Sequence, residues 1–423
     1  MIKIVKLSEN NDSFNNKKTA LPNVDEAVEG IINAVISGGD KALLDFSEKF
    51  DHVRPENLIV TREEIDAAVK TMGEEYMALL YRSAANIEDF HRRQLRSGFD
   101  VAEKDGIRLG QRVLPLDKVG VYVPGGTASY PSSVLMNVIP AKLAGVKNIV
   151  ITTPPDKNGG VSPNILAAAH VAKADIIVKS GGAQAIAALA YGTESVPAVD
   201  KIVGPGNLYV ATAKRMVFGK VDIDMEAGPS EILVIADETC NPAFVAADLL
   251  SQAEHDKLAS AILITDSEDL ANNVSIELEK QIPLLSRSEI ARESIDANGR
   301  IFIVDSLDEA AEYANKIAPE HLEISLDDPF PLYDKIKHAS SVFLGKYTPE
   351  ALGDYYAGPN HVLPTMGTAR FASPLSVDDF VKKNSYICYS REALEKASDD
   401  IITFAESEGL TAHAKSVGIR FGK

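Results

Sequence analysis

Apolar residues recur every three to four positions along Val24–Ser37, Asp40–Phe50 and Glu63–Leu95, which predicts helices there. From Val119 the pattern changes. Short apolar runs at Val119–Val123, Asn148–Thr153, Asp175–Lys179 and Lys201–Val203 alternate with helical periods at Ser132–Ala144, Asn164–Ala174, Ala183–Tyr191 and Asn207–Phe218. A second series follows, with strands Glu231–Ala236, Ala259–Thr265 and Arg300–Val304 and helices Ala243–Glu254, Glu268–Gln281 and Asp308–Ile317. Strand–helix alternation of this kind predicts parallel sheets covered on both faces. Ile107–Leu114 reads as a strand in a polar setting, and the tail from Pro374 is charged and helical in pattern. The expected fold class is α/β: two similar doubly wound, incomplete Rossmann-like domains with small N- and C-terminal helical extensions. The expected boundaries are an N-terminal extension over 1–23, a discontinuous domain of 24–120 with 236–375, a second domain over 121–235 and a C-terminal arm over 376–423.

Composition narrows the class. The chain has 423 residues, a formal net charge of −18 and only two cysteines, Cys240 and Cys388. Two cysteines exclude a disulfide framework and a cysteine-rich zinc site. The negative field opposes extended contact with nucleic acid. No run reaches the ~20 apolar residues of a membrane span, and the lysine-containing start does not read as a signal peptide. These features predict a cytoplasmic protein with free thiols, with no nucleic-acid or membrane partner.

Several polar motifs could carry chemistry. Val123–Thr127, Ser180–Gln184 and Val203–Asn207 are Gly-rich turns between a strand and a helix. Backbone N–H groups at such junctions can hold an anion such as a dinucleotide pyrophosphate, or the turns can simply be tight. Gln252 and His255, three apart at a helix C-terminus, could grip one ion, or be a polar helix end. Glu320 and His321 follow Pro319, which predicts that a loop presents them. An adjacent carboxylate and imidazole suit proton transfer, although a solvated pair has the same sequence. Gly353–Thr365 reads as an ordered loop offering Asp354 and His361, and Glu408 and His413 lie close to the end of the chain.

Taken together and in this order, Met225–Glu231, Ser251–His255, Pro319–His321, Gly353–Thr365 and Leu410–His413 resemble the histidinol dehydrogenase family, over about Val24 to Arg420. The resemblance implies one zinc ion per subunit on Gln252, His255, Asp354 and His413, and a catalytic pair of Glu320 and His321. It implies substrate contacts from Ser230, His361 and Glu408, with His321 and the metal ligands, and NAD contacts from Tyr122, Gln184 and Asn207. It also implies a homodimer in which the C-terminal segment, with Glu408 and His413, completes the partner's site. The substrate so implied is L-histidinol, oxidised through L-histidinal to L-histidine with two NAD reduced.

Two imidazoles, a carboxylate and an amide oxygen suit a borderline-soft divalent ion. Oxidising the aldehyde by hydride transfer first requires a tetrahedral adduct. Neither cysteine lies in a site motif, so water activated by Glu320 is the expected nucleophile. Three rival readings have specific tests. A related zinc dehydrogenase acting on another polar alcohol, such as a sulfonated diol, fits poorly with Glu408 and His361, which suit a cationic amino alcohol. A zinc hydrolase would leave the Gly-rich turns idle. A non-catalytic binding protein would have no use for Glu320 and His321.

Overall fold

The computed structural model describes residues 1–7, 22–125 and 129–423. Most of the expected N-terminal extension, and Gly126 and Thr127 of the first Gly-rich turn, lie outside them. The chain begins with β1 (Lys3–Lys6), then α1 (Asp25–Phe50) and α2 (Arg62–Arg92). Gly39, at φ 54° and ψ −137°, kinks α1 where the periodicity breaks after Ser37. Thr61 and Glu64 form a reciprocal capping box that starts α2.

After β2 (Phe99–Lys104) and β3 (Ile107–Pro115) comes the first alternating series. It comprises β4 (Lys118–Tyr122), α3 (Pro131–Ala144), β5 (Asn148–Thr153), α4 (Pro163–Ala172) and β6 (Ile176–Lys179). It continues through α5 (Gly182–Tyr191), β7 (Lys201–Val203), α6 (Leu208–Val217) and β8 (Asp222–Ile223). The strands form one parallel sheet in the order β6-β5-β4-β7-β8. Val119, Val121, Ile149 and Ile151 face α2, α3 and α4. Tyr122, Val150, Val178 and Ile202 face α1, α5 and α6. Alternate residues thus feed opposite cores, as two-sided burial of a parallel sheet requires.

The second series is β9 (Glu231–Ala236), α7 (Pro242–Ala253), β10 (Ser260–Thr265), α8 (Glu268–Gln281), α9 (Ser288–Asn298), β11 (Arg300–Ile303), α10 (Leu307–Ile317) and β12 (His321–Ser325). It ends with α11 (Phe330–Tyr333), β13 (Ser341–Leu344) and α12 (Glu350–Leu352). Its six-stranded parallel sheet has the order β1-β11-β10-β9-β12-β13. Leaving β1 aside, the winding repeats that of the first sheet. The α/β doubly wound expectation therefore stands.

The grouping along the chain differs from the expected boundaries. Helices α1 and α2 pack on the five-stranded sheet, because the apolar stripe Val28, Ile31, Ile32, Val35 meets the alanine-rich face of α5. Residues 24–94 therefore cover the sheet of 118–223, while α2 also bonds to the 353–360 segment through Ser83 and Asn86. Strand β9, which the expected boundary divides from the six-stranded sheet, is a central strand of it, paired with β10 and β12. The N-terminal segment contributes a strand where a helix was expected.

Two compact units result: residues 1–94 with 116–380, and residues 95–115 with 381–423. The second unit holds an antiparallel sheet, β14-β3-β2, where β14 is Val381–Tyr389, and the helices α13 (Arg391–Ser407) and α14 (Thr411–Gly418). After a short 3-10 turn at Val377–Phe380 the tail thus runs as a nine-residue strand before its helices begin. In β14 the ladder to β3 outweighs the charge of Lys382 and Lys383, both exposed. Among the described residues no helix is long and apolar enough to cross a membrane.

Candidate active site

The carboxyl edge of the five-stranded sheet and the amino edge of the six-stranded sheet carry the sequence-predicted residues of the larger unit. At the amino edge, Pro319 does end a helix: Ala318 adopts a left-handed conformation (φ 55°) after α10. Glu320 lies in the turn, but His321 is the first residue of the buried strand β12, not of a loop. Both are held by Glu231, at the start of neighbouring β9. Its N–H donates to Glu320 Oε2 at 2.8 Å, and its carbonyl lies 3.0 Å from His321 Nδ1. A carbonyl can only accept, so Nδ1 carries the proton and Nε2 presents a lone pair. His321 Nε2 is buried with no hydrogen-bond partner among the described residues. Ser230, next to Glu231, is half-buried, and its carbonyl accepts the Ser260 N–H.

Helix α7 delivers Gln252 and His255 to the same edge. Asn241 caps it and Pro242 occupies its first turn, while Val245, Leu249 and Ala253 bury one face. Gln252 is buried in the last turn, and the His255 N–H bonds back to its carbonyl at 3.0 Å. The Gln252 side chain hydrogen-bonds to Glu350. Its Oε1 is buried without a partner among the described residues, so the bond is made by the amide N–H and the oxygen is left over. Asp354 follows on a π-helical turn, Gly353–Ala357, where a loop was expected. His361 Nδ1 lies 3.1 Å from the Asp354 carbonyl, and its Nε2 3.5 Å from Ser133 Oγ. His321, Asp354 and His361 line a cavity of about 150 Å³ with Phe343, Asn360 and Leu363.

Glu350 has no counterpart among the sequence-predicted residues. Its Oε1 lies 3.9 Å from His321 Nε2, Ser251 Oγ donates to its Oε2 at 3.0 Å, and its N–H donates to Glu323. Facing donor atoms of His321, Glu350 and Asp354 lie within 4.8 Å of one another, close enough to share a cation. No sequence signal marks Glu350, because Pro349–Leu352 contains neither histidine nor glycine.

Burial and crowding of carboxylates set the charges. Burial, with the nearby Glu231 and Glu350 carboxylates, pushes Glu320 well above the usual range against the Glu231 N–H bond. Asp354 is likewise raised by burial and by Glu350. Burial also disfavours ionised Glu350, but His321 and hydrogen bonds with Asp354, Ser251 and Gln252 outweigh it and hold its pKa down. Burial lowers His321 against the pull of Glu350, and lowers His361 to about 4, so the His361 imidazole is neutral at pH 7. His255 is half-buried and sits within electrostatic range of both.

At the carboxyl edge of the five-stranded sheet stand Tyr122, Gln184 and Asn207. Tyr122 ends β4, and its buried hydroxyl accepts the Gly182 N–H at 3.1 Å. Gln184 is buried in the first turn of α5. Asn207 caps α6, its Oδ1 accepting from Tyr209 and Val210. Tyr122 and Asn207 flank the gap between β4 and β7, where the winding reverses and doubly wound folds bind ligands.

Glu408 and His413 belong to the smaller unit. Glu408 caps the C-terminus of α13 and His413 sits in the first turn of α14, both exposed.

Comparison with known proteins bears on this arrangement. The family profile described as histidinol dehydrogenase matches residues 14–421. The histidinol dehydrogenase of Clostridium acetobutylicum is 56% identical over 396 residues, 94% of this chain and 92% of the relative. That of Bacillus cereus is 58% identical over 398 residues, again 94% and 92%. The crystal structure of histidinol dehydrogenase from Elizabethkingia anophelis superposes with a TM-score of 0.93 at 38% identity, covering 100% of this chain and 98% of the other.

Proposed function

The chain belongs to the histidinol dehydrogenase family and is an oxidoreductase, and on that footing we propose that it oxidises L-histidinol through L-histidinal to L-histidine, in the last steps of histidine biosynthesis, with two NAD reduced per turnover. We assign zinc to Gln252, His255, Asp354 and His413 of the partner subunit. The observation that carries the assignment is the Gln252 amide oxygen, buried and unpartnered beside Asp354 and Glu350. A buried acceptor without a donor is costly unless a cation or water meets it. The donor set of imidazole nitrogens and carboxylate and amide oxygens suits zinc. When bound, the ion orients the amino alcohol and withdraws charge from it.

His321 takes the alcohol proton at Nε2 while the carbinol hydride passes to NAD. The Glu231 carbonyl keeps the tautomer that leaves this nitrogen free. Glu320 then draws a proton from water as its oxygen adds to the aldehyde, and protonated His321 returns its proton to the aldehyde oxygen, which completes the hydrate and frees Nε2 again. The water step uses the ionised form of Glu320, which burial makes a stronger base by raising its pKa. The hydrate yields its hydride to a second NAD and its hydroxyl proton to His321. His361 and Ser230 contact the substrate, with His361 beside the carboxylate that forms. Tyr122, Gln184 and Asn207 hold NAD.

Glu408 and His413 are read as serving the other subunit of a homodimer. Support comes from the smaller unit, where Val101, Leu109 and Ile387 form a cross-strand apolar row, and Phe404 and Ile419 are also exposed. A contiguous apolar row on an exposed sheet face suits an interface.

Incubation of the zinc-replete protein with L-histidinol and NAD tests the reading. Two NADH and one L-histidine per L-histidinol are expected. One NADH with accumulating aldehyde would remove the second half-reaction, and no NADH would remove the activity.

A further inference from the structure

We propose that Lys214 and Asp224 are positioning residues for the cofactor, a buried ion pair that fixes the β7–α6 turn and joins it to the segment leading to Ser230. The inference rests on reading Asn207 and Tyr122 as NAD contacts. Lys214, on α6, and Asp224, just after β8, are almost wholly buried, with side chains 2% and 1% exposed, and form an ion pair. Together they grip both main-chain polar groups of one residue. Asp224 Oδ2 accepts the Gly204 N–H at 2.8 Å, and Lys214 Nζ donates to the Gly204 carbonyl at 2.9 Å. Asp224 Oδ1 also accepts the Met225 N–H at 2.6 Å.

Gly204 is the residue that most needs holding. It has φ +105° and precedes Pro205, and a Cβ on it would collide with the Tyr122 carbonyl oxygen. A Cβ on Gly206 would meet Val210 and the Tyr122 ring. The turn that ends at Asn207 is therefore seated on Tyr122 with no room for adjustment. On the far side, Asp224 begins the stretch through Gly228, whose N–H donates to Thr365 Oγ1 at 2.7 Å, to Ser230 and then to Glu231. Glu231 in turn holds Glu320 and His321. One carboxylate thus ties the proposed cofactor turn to the segment that sets the catalytic pair.

A buried ion pair is seldom retained for stability alone, since apolar residues of similar volume do as well or better. Here its charges are spent on backbone groups at the point where the sheet winding reverses. Hydride transfer is sensitive to placement: misplacement by about 1 Å can cost on the order of 10²-fold in rate. The pair is assigned to placing the acceptor, not to chemistry.

The test uses the zinc-loaded full chain. The charge-neutral double variant Lys214→Met, Asp224→Asn avoids a lone buried charge. Dissociation constants for NADH and for L-histidinol are measured with zinc content, beside Asn207→Ala. About tenfold or greater weakening of NADH binding, with L-histidinol binding and zinc content unchanged and KM for NAD raised more than kcat falls, supports the proposal. NADH weakened in Asn207→Ala but not in the double variant overturns the clamp and leaves the cofactor site standing. NADH binding unchanged in both overturns the cofactor reading and the clamp with it. Equal loss of NADH, L-histidinol and zinc makes the pair a general scaffold element and overturns the proposal. A measurement on the wild type does not depend on the variant's folding. Without ligand, the amides of Gly204 and Met225 should exchange as slowly as those of β7, and fast exchange would overturn the clamp.

Discussion

Replacing Glu320 by Gln separates the two half-reactions. The substitution keeps the shape and the Glu231 contact, because an amide oxygen can accept the same N–H. It also leaves His321 in place, since the Glu231 carbonyl orients that ring at 3.0 Å while Glu320 Oε2 stands 3.7 Å away. Gln matches Glu in size and keeps the Glu231 N–H bond, so the fold should survive the change. What disappears is the base. Loss of a general base costs ~10²–10⁴-fold, or about 3–5 kcal/mol of barrier. That whole loss should fall on oxidation of L-histidinal, with alcohol oxidation close to wild type. The assay supplies L-histidinal directly and follows NADH. A separate single-turnover measurement with L-histidinol reports the first hydride transfer. Equal losses in the two steps would refute the division of labour and make Glu320 a support for His321.

His255→Ala and His413→Ala should each lose zinc and activity together, and metal analysis showing full occupancy in both would remove them from the ligand set. Mixing inactive His321→Ala with inactive His413→Ala protein should restore some activity after subunit exchange, because one site of the mixed dimer escapes both lesions. The double variant Cys240→Ala, Cys388→Ala should keep both oxidation steps. Burial pushes the Cys240 thiol up to about 11, and its Sγ is bonded to the Ser325 carbonyl, so neither its ionisation nor its position suits a nucleophile; loss of the aldehyde step alone would revive thiol catalysis. For the metal-free protein, the His361 contribution to stability should fall on acidification, while buried Glu320, Asp354 and Glu323, whose pKa values are raised, work in the opposite direction. His361 binds a proton at about 4 when folded and near its ordinary 6.5 when unfolded, so it costs nothing above pH 6.5 and about 3 kcal/mol once the pH has dropped past 4. His91 and His321 shift in the same direction. Denaturant midpoints of wild type and His361→Gln at pH 6.5 and 4 isolate this contribution: the variant should lose about 3 kcal/mol less on acidification.

The sequence was most legible where apolar pattern and burial coincide. Strands β4, β5, β9 and β10 are apolar runs buried on both faces, and each is visible as such. Strand β12 is equally buried but reads His321-Leu-Glu-Ile-Ser325, so its polar positions hide it, and the proline before it suggests a loop. The strand's polarity has a physical reason: His321 faces the cavity, and Glu323 accepts the Glu350 N–H inside the protein. Strand β14 was missed for the opposite cause, since it is exposed and charged and owes its form to pairing with β3. The candidate site was legible as motifs, with Gln252, Glu320, His321, Asp354 and His361 all brought to one edge of one sheet. Glu350 was not, because its place depends on a tertiary contact that no local spacing records. Nor did any pattern show that α1 and α2 cover the five-stranded sheet, since an apolar stripe does not name its partner.

The smaller unit has a consequence for how the protein is made. Its middle strand, β3, pairs on one side with β2, only a turn away, and on the other with β14, close to the end of the chain. During synthesis that second edge waits until the long stretch between Pro115 and Val381 has left the ribosome. A half-built sheet with Leu109 on its surface is a template for a wrong neighbour. The slow step in biogenesis should therefore be closure of this last ladder, and nascent chains stalled before Val381 should be the species that chaperones hold and that aggregate when chaperones are scarce.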